Sequence, residues 1–247
     1  NVIALIMDSI YSTSNTKTPP EIVAKEMLKD VMLGTENSDN ALIATTFASH
    51  IARLKSIADF SLKLGRKPIF LGRSLMKYIQ ASENLGLTNI SQNAEIVGYG
   101  NMIKKRLSKL KKQRKEKYTI ICTGGQGEPK AVLTKMINQT LPFKLEKDDS
   151  VIFSNKTIPA EVNIANRAKV EERLMQKKVR IFKDIHVSGH LAKEDMRDFI
   201  KMIKPKVVIP CQGDPIMFKS FEELALELGY KLSQDVFALK DGNKVML

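Results

Sequence analysis

Three histidines occur among the 247 residues, and two of them stand four apart in the run His186-Val187-Ser188-Gly189-His190. A loop of this make-up can place one imidazole at a metal or a leaving group and the other on a phosphate. The Ser188 hydroxyl and the Gly189 backbone N–H would add direct donors. The rival reading is a pair of histidines capping the helix that Lys193-Glu194-Asp195 would open. A second candidate is Gly124-Gly125-Gln126-Gly127-Glu128, whose N–H groups could wrap an anion. It lacks the Lys-Ser/Thr of a P-loop and the G-x-G-x-x-G spacing of a dinucleotide site, and Glu128 reads equally as ordinary helix-start chemistry. Asp8-Ser9 could orient a histidine or a metal ligand, or simply cap a turn. Gly72-Arg73-Ser74 and Cys211-Gln212-Gly213-Asp214 complete the set. His50, three residues before Arg53, reads as a packed or surface histidine. Cys211 has no histidine near it in sequence and is not read as a nucleophile.

All of these lie just beyond apolar runs, which is where an open α/β sheet holds its chemistry. Strands are expected at Val2–Met7, Ala41–Thr45, Pro68–Leu71, Tyr118–Cys122, Val151–Ser154, Val179–Val187 and Lys206–Pro210. Between them, 3.6-residue periodicity predicts helices at Pro19–Leu33, His50–Leu64, Ser74–Asn84, Lys130–Asn138, Asn163–Lys177, Lys193–Ile203 and Phe218–Leu228. Ser49 is the expected N-cap of the second helix, and Gly34, Gly65 and Gly86 are expected helix stops. A terminal hairpin is expected from Asp235–Leu239 and Lys244–Leu247 across Asp241-Gly242-Asn243. Strand–helix alternation of this length implies an α/β fold with a largely parallel sheet.

The net charge is +13, and residues 104–117 carry nine Lys or Arg against one Glu, leaving only +5 elsewhere. Leu107 and Leu110 allow this block a short helix with one anchoring face. It reads as a solvated surface or as a contact for a polyanion, with affinity that salt weakens. No aromatic residue interleaves it, so base stacking within the block is not expected. A hydrophobic fraction of 43% excludes a disordered chain. The apolar runs are too short to cross a membrane. Two cysteines support neither a disulfide framework nor a cysteine-only zinc site, and with no signal-peptide pattern a reducing cytoplasm is the expected setting.

Taken in order, Asp8-Ser9, ATTFASHIARLKSI (44–57), GRKPIFLGRSL (65–75), TGGQGEP (123–129), HVSGH (186–190) and KPKVVIPCQGD (204–214) resemble the ribonuclease J family of β-CASP metallo-β-lactamase nucleases. TTFASHIAR with GRSL is most similar to the archaeal branch. The resemblance implies a Rossmann-like β-CASP domain with a parallel sheet, inserted into a metallo-β-lactamase αββα fold of which this chain holds the C-terminal portion. By resemblance, residues 1–15 are a metallo-β-lactamase strand and crossover, 16–160 the β-CASP domain and 161–247 the rest of the metallo-β-lactamase domain. Pro159 marks the second boundary. Asp8 matches an acidic motif position and His190 a histidine that assists the leaving group. His186–His190 matches a phosphate-gripping loop, and Gly72–Ser74 and Gly124–Glu128 would line an RNA channel. The implied reaction is attack on an RNA phosphodiester by a hydroxide bridging two zinc ions, as a 5′→3′ exonuclease.

Two departures stand against that pattern. Gln212 occupies the position of a zinc-binding histidine and offers only an amide oxygen. The His-x-His-x-Asp-His metal motif of the family is not in this sequence. The chain begins at Asn1, inside an apolar run, and reads as part of a longer protein. Alone it is expected to bind RNA weakly and cleave nothing. Lys111, Lys112, Arg114 and Lys115 are expected to hold RNA backbone. Expected partners are RNA, a chain carrying the missing metal half, and a second copy of this chain. The rivals are a degenerate RNA-binding paralogue, and a Rossmann-like enzyme holding a small phosphorylated ligand at Gly124–Glu128.

Overall fold

The computed structural model describes residues 2–36, 39–112 and 114–246, and the side chains of Lys111 and Lys112 lie outside that description. From the amino end the elements are β1 (Ala4–Asp8), α1 (Glu21–Leu33), β2 (Leu42–Thr45), α2 (Ile51–Lys63), β3 (Lys67–Leu71) and α3 (Arg73–Asn84). Next come β4 (Glu95–Val97), α4 (Gly100–Lys112), β5 (Tyr118–Cys122), α5 (Val132–Ile137) and β6 (Ser150–Phe153). The order closes with α6 (Glu161–Gln176), β7 (Arg180–Phe182), α7 (Lys193–Ile203), β8 (Val207–Cys211) and α8 (Pro215–Glu227). Two compact units divide these elements: Asn1–Pro20 with Val187–Leu247, and Glu21–His186.

The Glu21–His186 unit is built on a six-stranded sheet of order β4-β3-β5-β2-β6-β7, parallel throughout. The chain steps outward from β2 to β3 and β4, then returns to β5 and crosses to β6 and β7. Right-handed crossovers therefore place α2 and α3 on one face and α4, α5 and α6 on the other. The side chains obey this division. Leu42, Ala44, Phe70, Ile121 and Ile152 pack with Leu28 of α1, Leu54 and Ile57 of α2 and Leu75 of α3. Ile43, Ile69, Ile120, Val151 and Phe153 face the opposite way, against Leu107 of α4, Leu133 of α5 and Leu174 of α6. Each fully buried Leu, Ile or Phe adds about 1.5–3 kcal/mol of burial free energy. That is why the strands read as continuous apolar runs rather than alternating ones.

Helix ends follow local rules. After α2, Gly65 adopts φ 69°, the Gly65 N–H donates to the Leu62 carbonyl and Arg66 N–H to Ser61 (both 2.9 Å). This is the left-handed glycine stop expected from the sequence, and Gly86 repeats it after α3. The start of α2 differs from expectation. His50, not Ser49, is the N-cap residue, and its side chain makes no capping bond.

In the other unit β1 and β8 pair in parallel, with Asp8 opposite Cys211. Met7 and Val208 pack against Met196 and Ile200 of α7 and Phe221 and Leu224 of α8. Asp214 caps α8 by accepting the Ile216 and Met217 N–H groups at 2.9 Å, with Pro215 at the first helical position. The expected terminal hairpin does not form among the described residues. Val236 instead makes an isolated parallel bridge to Val208, because the Asp235 carbonyl and the Phe237 N–H bond the Val208 backbone.

The unit boundaries fall at 20/21 and 186/187, where the sequence reading placed 15/16 and 160/161. The stretch after Pro159 stays with the larger unit because β7 pairs with β6 and α6 packs its Val170 and Leu174 under that sheet. Among the described residues, no helix is long and apolar enough to cross a membrane.

Candidate functional site

Asp8 and His190, 182 residues apart, meet in the smaller unit. One Asp8 oxygen accepts the Ile10 N–H at 2.8 Å and the other is bonded to His190 Nδ1. A carboxylate on Nδ1 fixes the ring's orientation and leaves Nε2 as the nitrogen that can work on a substrate. The backbone of His190 is held as well. Its N–H donates to Ser188 Oγ at 3.0 Å, and its carbonyl accepts the Thr18 hydroxyl at 2.7 Å. Thr18 in turn takes the Ala192 N–H on its Oγ1 and gives its own N–H to Asp195 at 2.6 Å. Neither histidine caps α7, whose N-cap is Ala192. The His190 side chain is 44% exposed. Gly189 has an ordinary φ, and a Cβ there would meet nothing within 4 Å, so internal packing does not demand glycine.

Beyond β8, Ser9 donates its N–H and hydroxyl to the Cys211 carbonyl at 2.9 and 3.0 Å. Gln212 is exposed and sits at φ 52°, the left-handed region uncommon for a residue with a side chain. Burial and the neighbouring Asp8 charge raise the Cys211 thiol pKa, which keeps it protonated and argues against a nucleophile. Among the described residues no three His, Cys, Asp or Glu side chains come together to hold a metal ion. With an amide at position 212, the residues present do not fit a zinc site on their own.

In the larger unit the expected glycine loops lie side by side at the carboxyl ends of β3 and β5. Gly72 is buried, with Arg73 and Ser74 exposed beyond it. The Gly124–Gly127 turn is buried too, and much of its polarity is already committed. Gly127 N–H bonds the Gly124 carbonyl, and Gln126 N–H bonds the Glu128 carboxylate at 3.1 Å. The Gln126 amide ties down the Lys156 carbonyl and the Ile158 N–H, and Arg167 takes the Gly125 carbonyl at 2.6 Å. At Gly127 (φ 74°) a Cβ would stand 2.5 Å from the Asn166 carbonyl. The turn thus locks β5 to the β6 loop and α6. Glu128 closes this turn and does not open a helix, since α5 starts at Val132.

A group not read from the sequence lies beside His186. Arg53 is fully buried on the apolar face of α2. Its guanidinium grips both Glu21 oxygens at 2.6 and 2.7 Å. It also bonds the Ser154 hydroxyl at 2.8 Å and the Ser154 and Ile185 carbonyls at 3.1 Å. His50 Nε2 lies 3.4 Å from Glu21. Burial alone would raise the Glu21 pKa, but the Arg53 hydrogen bonds and charge outweigh it and hold the carboxyl below its ordinary value. The same burial, with the Arg53 and His50 charges, pushes His186 down to about 4. His186 is therefore neutral at physiological pH. Its Nδ1 is buried and finds no partner among the described residues, and its ring meets Phe47 edge-on at 6.4 Å. The signal for this group was a lone arginine inside the apolar stripe of a helix.

The basic block is redistributed by the fold. Ile103, Leu107 and Leu110 anchor α4, leaving Lys104, Lys105 and Lys109 exposed. Arg106 pairs with Glu95 at 2.7 Å, and Arg114 with Glu116. Lys115 is drawn inward to Asp149 (2.8 Å) and Glu146 (2.5 Å). Asp149 is fully buried and already accepts the Ala41 and Glu146 N–H groups, so its charge requires a cation. Of the four residues expected to hold RNA backbone, Lys115 is thus internally engaged. The side chains of Lys111 and Lys112 lie outside the described residues.

Residues 39–174 match the model of the ribonuclease J β-CASP domain. The chain belongs to the ribonuclease J family. Residues 176–238 match a second model, the RNA specificity domain of Zn-dependent metallo-hydrolases. The chain is 43% identical over 241 residues to ribonuclease J of Methanocaldococcus jannaschii, an alignment covering 98% of this chain and 54% of that protein. Ribonuclease J of Pyrococcus abyssi is 42% identical, with 98% and 53% covered. Ribonuclease J2 of Bacillus subtilis is 31% identical over 252 residues, with 99% and 42% covered. The chain spans about half the length of the curated relatives it matches. The resemblance to the archaeal branch of the family, drawn from TTFASHIAR and GRSL, is thus borne out.

Proposed function

We propose that this chain is the RNA-holding portion of a zinc-dependent, cytoplasmic ribonuclease, one that degrades single-stranded RNA from its 5′ end. The observation that carries this reading is the Asp8–His190 pair. Two motifs from opposite ends of the sequence converge to orient one imidazole, and the Ser188–Gly189 turn stands directly before it. In this reading His190 Nε2 serves the departing oxygen of the phosphodiester. The Ser188 hydroxyl and Gly189 N–H hold a phosphate, and in the larger unit Arg73 and Ser74 also contact RNA. His186, neutral and partly buried, contributes no positive charge and works by fixing the start of the loop. The zinc ligands are supplied by a segment or chain outside these 247 residues.

A second reading has support from Gln212: an exposed amide where the family has a metal-binding histidine fits an RNA-binding protein that has lost catalysis. A small phosphorylated ligand at Gly124–Glu128 fits less well, because the Gln126 and Gly127 N–H groups are already bonded internally.

The deciding experiment joins this chain to a His-x-His-x-Asp-His segment of the family and assays zinc-dependent cleavage of labelled RNA. Cleavage that falls at least a hundredfold in His190→Ala, and partly in Asp8→Asn, with RNA affinity unchanged, is the expected result. An active joined protein indifferent to His190→Ala overturns the assignment of the pair. A joined protein that binds zinc and RNA but never cleaves favours the second reading.

A further inference from the structure

Tyr99 follows β4 in the stretch Val97-Gly98-Tyr99-Gly100 and is 53% exposed, although it lies at the mouth of a tightly packed sheet edge. Its backbone is anchored at two points. A Cβ on Gly98 would stand 2.5 Å from Met76 Sδ, so the turn is pressed against α3, and the Tyr99 carbonyl accepts the Ile103 N–H at 2.8 Å in the first turn of α4. The ring therefore projects from an anchored turn. The Arg73 guanidinium lies over that ring, 5.9 Å from its centre, within the range of a cation–π contact. Gly72 N–H bonds the Val97 carbonyl at 3.0 Å and so ties the two strand ends together. The exposed Lys104 and Lys105 follow on α4.

A flat exposed ring on an anchored turn, with a guanidinium against it and ammonium groups beyond, matches a nucleotide. The ring suits the face of a base, and the cations suit its phosphates. We infer that Tyr99 and Arg73 form a stacking platform for one unpaired base of single-stranded RNA, extending the binding track from Gly72–Ser74 to the foot of α4. A duplex hides its base faces, so the platform selects single strands, with little regard for base identity. It supplies the aromatic contact that the basic block itself lacks. The inference rests on the RNA-binding reading above.

The test is fluorescence anisotropy of the 247-residue chain with a labelled oligoadenylate and with a duplex of equal length. Tyr99→Ala is expected to weaken single-strand binding about tenfold, as loss of one base–aromatic stack does, and Tyr99→Phe to bind as wild type. The slope of affinity against salt should persist in Tyr99→Ala and become shallower in Arg73→Ala, which removes a phosphate contact. Duplex affinity should not respond to Tyr99→Ala. If wild type binds the single strand and Tyr99→Ala binds equally well, the platform is refuted and the RNA reading survives. If Tyr99→Phe loses as much as Tyr99→Ala, the hydroxyl rather than the ring face is at work, and stacking is refuted. If wild type has no affinity for RNA, both inferences fall.

Discussion

A buried guanidinium survives in a protein only when its donors find partners, and Arg53 meets that requirement through Glu21, Ser154 and Ile185. The consequence reaches His186, the next residue after Ile185. Burial first, and then the charges of Arg53, His50 and Lys156 against the opposing pull of Glu21, hold the imidazole at about 4 against an ordinary 6.5. The unfolded chain therefore takes up a proton in a range where the folded ring does not. Stability from this ring is complete above about pH 6.5 and declines as the pH falls from there toward 4. Thermal unfolding midpoints should drop between about pH 7 and pH 5, above the range where carboxylates titrate. The drop should be smaller in His186→Asn, and equal drops in both proteins would refute the account. His186 and His190 were legible in the sequence as a spaced pair, but their division of labour was not. His190 meets a carboxylate 182 positions away and His186 meets a buried arginine, and neither encounter leaves a mark in local spacing.

At the scale of elements, α4 shows how charge in a sequence misleads about charge on a surface. The block 104–117 reads as one patch, yet packing sorts it into anchors, internal ion pairs and exposed lysines. Lys115→Met should destabilise the fold by about 3 kcal/mol, because it strips the cation from buried Asp149. The triple change of Lys104, Lys105 and Lys109 to Gln should leave stability nearly intact. It should reduce the magnitude of the log–log salt slope of RNA binding by up to about 2, at roughly 0.7 per phosphate contact. Denaturant titration of the two variants beside salt-dependent binding separates these outcomes; a triple variant with an unchanged slope would return α4 to a merely solvated face. Long periodic helices such as Lys193–Ile203 and fully buried strands such as Tyr118–Cys122 were legible because burial alone dictates them. The three-residue β4 was missed, since Glu95-Ile96-Val97 becomes a strand only by pairing with β3. The terminal hairpin was misread for the converse reason: a turn sequence between apolar stretches is present, but Val236 bridges to Val208 of β8 instead.

At the scale of the whole chain, the sequence motifs carried the family and the α/β class, and the structure divided the motifs between two units. HVSGH runs through the boundary, with His186 in one unit and Val187–His190 in the other. The glycine turn at 124–127 is tied internally through Gly125, Gln126 and Gly127, whereas Gly189 has no packing reason to be glycine. In the proposed function the chain holds RNA, while its described residues bring together no metal centre for cutting it. The most direct measurement incubates the purified 247-residue chain with zinc and labelled single-stranded RNA, and follows binding and cleavage in the same samples. The account predicts salt-sensitive binding and intact RNA. Zinc-dependent cleavage by this chain that disappears in His190→Ala would contradict it.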